Sequence, residues 1–159
     1  MINTSMRYII LFSYLFVFSL ATGFAQSKQI QHYSFEVAPQ ITTVKVDVVG
    51  NHVEVSNWPG NLIMVEIKAE LNGASDDILN HLFEAGRYAV EAEAQDNTGI
   101  FVYTKVKERN PLKTKKGGSI IERVHYRVFI PDSFTKVNNN LWTREVEVDE
   151  PVPSEQKGE

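Results

Sequence analysis

The four histidines, His32, His52, His81 and His125, are the side chains best suited to hold a transition metal, and their spacing keeps them apart. No H-x-H or H-x-x-x-H pair sets two imidazoles on one face of a strand or helix, so no metal ligands are expected. The chain contains no cysteine. That removes thiolate nucleophiles and thiolate-bound metals. No G-x-S-x-G elbow presents a serine nucleophile. The paired carboxylates, Glu91 with Glu93 and Asp76 with Asp77, fit a solvated strand face and a helix start. The run KKGGS at 115–119 lacks the first glycine and the following helix of a phosphate-binding loop. Neither catalytic residues nor a cofactor are expected, and the protein is read as not an enzyme.

What remains is binding chemistry. Phe101, Tyr103, Lys105 and Lys107 recur every second residue, as do Arg123, His125, Arg127 and Phe129. The segment between them, Lys105 to Lys116, carries six basic residues and one acidic one, with Lys113, Lys115 and Lys116 at its end. If it joins two neighbouring strands, these side chains form one aromatic-and-basic patch. Rings stack on sugar or acyl faces, and cations hold phosphate or carboxylate groups. Trp58, in NWPG, is a further stacking candidate. The competing reading makes Phe101 and Phe129 core, the lysines a soluble hairpin tip, and Trp58 a plug at one end of the domain. It is favoured because a large exposed apolar patch is uncommon on a monomer.

The elements that would position these residues are strands. Apolar and polar side chains alternate through residues 44–71, apart from the break at NWPGN. Val44, Val46 and Val48 share one face. Ile63, Val65, Ile67, Ala69 and Leu71 share another, with Met64, Glu66, Lys68 and Glu70 opposite. Residues 32–37 read as the first strand. Gly50-Asn51 is a two-residue turn signal; as a hairpin it sets Asp47 across from Glu54, an unfavourable pair, and the alternative is one coil of a solenoid. Ser75, Asp76 and Asp77 open a short helix near 75–85 that ends at Gly86. Asn97-Thr98-Gly99 suits a hairpin loop pairing Glu91 with Lys105 and Glu93 with Tyr103. Residues 120–131 form another strand, and 132–148 add one or two short ones. The fold class is all-β: a β-solenoid, roll or sandwich of about seven or eight mostly antiparallel strands with one helix.

The ends bound the setting. Arg7, the apolar run Tyr8–Leu20, and Gly23 and Ala25 ahead of Gln26 have the three-part layout of a secretory signal peptide over 1–25. A single β-rich domain is expected over 26–148, and a disordered acidic tail over 149–159. The net charge of −4 argues against nucleic acid as a partner, and no segment after the leader is apolar enough to span a bilayer. Without cysteines, an exported domain must be held by its core alone.

The stretch ITTVKVDVVGNHVEVSNWPGNLIMVEIKAEL, followed by VHYRVFIPDSFTKV, resembles the exported adhesin-type families of Bacteroidetes-like cell envelopes. The resemblance covers roughly 35–137 and departs at the end, where the chain stops short of the further glycine-punctuated coils. It implies a β-solenoid or roll in the periplasm or on the surface of a Gram-negative bacterium, and offers no catalytic residue to carry over. The expected function is a non-enzymatic envelope module for binding, adhesion or structure. Its partner would be an anionic envelope glycan, or another envelope protein added at a sheet edge. The alternative is a small periplasmic enzyme or a ligand-sensing component of an envelope-stress system.

Overall fold

The computed structural model describes residues 26–145. The expected leader and acidic tail lie outside them. Nine strands and one helix follow in order: β1 (Gln26–Glu36), β2 (Thr43–Asp47), β3 (His52–Trp58), β4 (Leu62–Asn72), α1 (Asp76–Glu84), β5 (Val90–Gln95), β6 (Gly99–Thr104), β7 (Ile121–Pro131), β8 (Thr135–Asn138) and β9 (Leu141–Thr143). They build a first sheet of order β1-β4-β7-β3 and a second of order β5-β6-β2-β9-β8. Both are mixed, since β2 runs parallel to β6 and β3 parallel to β7. No solenoid or roll forms among the described residues: β1 and β2, β2 and β3, β4 and β5, β6 and β7, and β7 and β8 lie in different sheets instead of stacking as coils.

Period-two patterning dictates the core. On β4, Ile63, Val65, Ile67, Ala69 and Leu71 are all fully buried, and on the neighbouring β7 so are Val124, Tyr126, Val128 and Ile130. The second sheet contributes Val44, Val46, Val90, Ile100, Val102 and Trp142 to the same cluster. Each large aliphatic side chain removed from water contributes about 1.5–3 kcal/mol, the source of stability that a chain without disulfides needs. The helix forms where expected, with Ser75 at its N-cap position and Asp76 and Asp77 in its first turn. It buries Leu79 and Phe83 and packs against β1 and β4.

Three local expectations are corrected. Gly50-Asn51 is not a hairpin turn, because β2 and β3 belong to different sheets. Here the chain presses against β7: a side chain at Gly50 would meet the Tyr126 ring at 2.6 Å. Asn51 brackets Val124, donating its N–H to the Val124 carbonyl (2.8 Å) and accepting from the Val124 N–H at Oδ1 (2.7 Å). The unfavourable Asp47–Glu54 pair is thereby avoided; Asp47 lies beside Tyr103 and Glu54 beside Arg127. The β5–β6 hairpin exists, but its register pairs Glu91 with Tyr103 and Glu93 with Phe101. Asp96, not Gly99, takes the left-handed conformation (φ 56°). Gly99 is required for space, because a Cβ there would lie 2.6 Å from the Gln95 carbonyl oxygen. Finally, β1 begins at Gln26, six residues before the expected start.

Candidate binding surfaces

The single patch expected from β6, its following loop and β7 is divided. β6 lies in the second sheet and β7 in the first. Phe101, Tyr103, Lys105 and Lys107 therefore stand on one outer side of the molecule, and Arg123, His125 and Arg127 on the other. The two phenylalanines are half-buried on the outer faces, Phe101 on β6 and Phe129 on β7, and neither joins the core.

On the second sheet, the side chains satisfy one another. Phe101 and Tyr103 stack with ring centroids 5.1 Å apart, and the Lys45 ammonium sits 5.4 Å from the Phe101 centroid. The Tyr103 hydroxyl donates to Glu93, and also to Glu91 at 3.1 Å. Lys105 pairs with Glu91 at 2.8 Å, and Lys107 with Asp47. The hydrogen bond to Glu93 first, then desolvation and Glu91, push the Tyr103 phenol well above its ordinary value. Lys105 and then Tyr103 hold Glu91 below the usual carboxylate range. This is a solvated face on which Lys105 and Lys107 already have carboxylate partners.

The first sheet's outer face is a set of transverse rows fixed by register. Lys28, Glu70 and Arg123 form one row; Ile30, Lys68, His125 and His52 the next; His32, Glu66, Arg127 and Glu54 the third. Arg127 donates to Glu66 Oε1 from Nη2 (2.6 Å) and Nε (2.9 Å), and His32 lies 3.3 Å from Glu66 Oε2. The Arg127 hydrogen bond is the main reason that the Glu66 carboxyl titrates below its ordinary range. Lys68 pairs with Glu70 at 2.7 Å and lowers it likewise. The His52 and His125 rings face each other across β3 and β7 with centroids 5.8 Å apart. Among the described residues no cluster of three or more His, Asp or Glu side chains could hold a metal ion.

Lys28 and Arg123 make no ion pair among the described residues, and neither do Lys113, Lys115 and Lys116. The three lysines crown a tight turn. Thr114 N–H donates to the Gly118 carbonyl (2.7 Å), Gly117 N–H returns to the Thr114 carbonyl (2.9 Å), and Thr114 Oγ1 accepts from Gly118 N–H (2.9 Å). Gly117 supplies the positive φ of 83° that closes the turn. A bridge from Lys113 to Ser119 and the Ile120–Leu112 hydrogen bond root the turn beside Gly73, where β4 ends and β7 is about to begin. The tip thus continues the end of the first sheet that bears Lys28 and Arg123. Lys28 was missed in the sequence because the polar half of β1 lacks apolar alternation; the register against β4 reveals it.

Trp58 belongs to neither surface. It ends β3 beside Pro131, eight residues along β7 from Arg123, or ~26 Å at the rise of a strand. Its indole N–H donates to the Leu62 carbonyl (2.9 Å) and its ring covers Gly60, so it braces the β3–β4 turn. Trp142 is buried core. The described clefts are shallow and of mixed character. One of about 420 Å³ lies among Glu36, Val37, Pro39, Asn61 and Leu62, and another of about 340 Å³ is lined by Gln29, Gln31, Asn80, Phe83 and Glu84. No helix among the described residues is long and apolar enough to cross a membrane. Comparison with protein-family models, curated proteins and solved structures finds no match to this chain.

Proposed function

We propose that this protein is an exported, non-enzymatic module of a Gram-negative cell envelope, adhesin-like in role. It holds an anionic surface glycan at the lysine-rich tip and the adjoining end of the first sheet. The two sheets, sharing one core, are read here as a sandwich that acts as a rigid mount. The observation that carries the reading is the contrast in pairing: Lys113, Lys115, Lys116 and Arg123 meet no carboxylate among the described residues, whereas Lys105 and Lys107 do. Exposed cations on a rooted turn can engage phosphate or carboxylate groups without first giving up an internal partner.

Retention on immobilised lipopolysaccharide and on heparin tests this. Wild-type protein should elute as salt rises towards 0.5 M, where screening shortens to ~4 Å. The K113Q/K115Q/K116Q/R123Q variant should elute much earlier, and K105Q/K107Q should behave as wild type. Equal loss in both variants, or retention that ignores salt, overturns the assignment. Export is tested separately. Fractionation of cells with protease shaving, followed by N-terminal sequencing, should yield an envelope protein beginning at Gln26; a cytosolic chain with its leader intact refutes the location.

A further inference from the structure

β1 is an eleven-residue edge strand. It pairs with β4 without a bulge from Gln26↔Asn72 to Glu36↔Leu62, and its other side has no strand partner among the described residues. Natural sheets guard such an edge with proline, a bulge, a cluster of charges or a covering segment. The strand QSKQIQHYSFE has no proline and no glycine, and between Lys28 and Glu36 its only ionisable outward residue is His32. Ile30 stands 47% exposed on the same side. The backbone N–H and C=O groups along this edge call for partners.

We propose that the edge pairs antiparallel with β1 of a second copy, about a two-fold axis through His32, merging two four-stranded sheets into one of eight. Antiparallel strands keep like faces together, so the axis can move only one residue at a time, and each position sets a different pairing. With the axis at His32, Lys28 lies across from the partner's Glu36 and Glu36 across from the partner's Lys28. Ile30 then meets Ser34. An axis at Ile30 places Lys28 across from His32 and leaves Glu36 outside the pairing. An axis at Gln31 sets Lys28 across from Ser34, and one at Tyr33 sets Glu36 across from Ile30. The His32 axis alone joins both opposite-charge pairs. A strand-only junction lies at the small end of interface sizes, so association in the micromolar range is expected.

The absence of cysteine makes the test clean. On the axis, His32→Cys brings two sulfurs to residues about 4.5–5.5 Å apart at Cα, within disulfide range. Ser34→Cys separates its two copies by four residues, ~13 Å. Under mild oxidation of the purified chain, His32→Cys should give a covalent dimer and Ser34→Cys a monomer. In sedimentation of the cysteine-free protein, Lys28→Glu should weaken the dimer by about tenfold, by placing like charges opposite, and Lys28→Glu with Glu36→Lys should restore it. Circular dichroism checks that each variant is folded. A wild-type chain that stays monomeric at about 100 µM, equal cross-linking of both cysteine variants, or no rescue by the charge swap overturns the proposal.

Discussion

The two outer faces use the same side chains to opposite ends. On the second sheet, Lys105 pairs with Glu91 and Lys107 with Asp47, and the Tyr103 hydroxyl donates to Glu91 and Glu93. On the first, Arg127 is matched by Glu66, but Arg123 and the lysines of the turn are not matched among the described residues. Register alone does not decide which cations are spent internally: Glu70 lies across from both Lys28 and Arg123, yet pairs with Lys68. A basic run in a sequence therefore says little about an anion site until the partner of each cation is known.

Breaking the base of this comparison has the largest effect. Trp142 is 1% exposed and anchors β9 beneath the second face. Trp142→Ala should cost about 3–5 kcal/mol, measured by urea unfolding. Trp58 is then the only tryptophan left. Its fluorescence should change in the same transition as the circular dichroism signal, because the sheets share a core. A first sheet that outlives the second would show the faces to be independent.

Next is the polar link between the sheets. Glu122 on β7 accepts from Arg87 Nε (2.7 Å) and Nη2 (3.0 Å) and from the Tyr88 hydroxyl (2.7 Å), both on the approach to β5. Burial pushes the Glu122 carboxyl up, but the hydrogen bonds from Arg87 and Tyr88 outweigh it, so it titrates below the ordinary 4.5. A depressed carboxylate contributes stability that is full above 4.5 and is lost as pH falls through the lower folded-state value. Glu122→Gln should destabilise by ~1–3 kcal/mol at neutral pH and flatten the decline in stability below pH 4.5. An unchanged acid limb would put the dependence elsewhere.

The contrast between the faces is sharpened by binding. At ~0.5 kcal/mol for each exposed contact, the fourfold change at Lys113, Lys115, Lys116 and Arg123 should weaken polyanion binding by roughly 30-fold, read by calorimetry at low salt. The smallest effect belongs to the matched face: Lys105→Gln should leave both the urea midpoint and polyanion affinity unmoved. A large loss of affinity there would reverse the ranking of the two surfaces.

Much of this was legible in the sequence, and the failures have separate physical causes. Periodicity identified which side chains of β4 and β7 are buried, and the caps and spacing located α1. Periodicity is silent on which sheet a strand joins, so β6 and β7 read as neighbours when they are not. Gly50-Asn51 carried a genuine signal of close backbone approach, but to β7 and not to its own hairpin. The discord of Asp47 with Glu54 was the clue, since like charges opposed in a predicted register argue against that register. The β5–β6 register was set by Asp96 adopting the left-handed turn position, one that glycine usually fills. The early half of β1 escaped because its inward residues, Ser27, Gln29 and Gln31, are polar.

The two parallel pairings bear on how the molecule assembles. Asn51 and Val124, which bond where β3 meets β7, are 73 residues apart. Until β7 has been synthesised, β3 has no neighbour and β1 with β4 is a two-stranded ribbon backed only by α1. Contacts this distant in sequence place the chain among slow folders, on the scale of milliseconds to seconds. Truncation ahead of Ile121 should leave a polypeptide without the four-stranded first sheet, and the nascent chain must stay guarded from self-association until β7 has emerged.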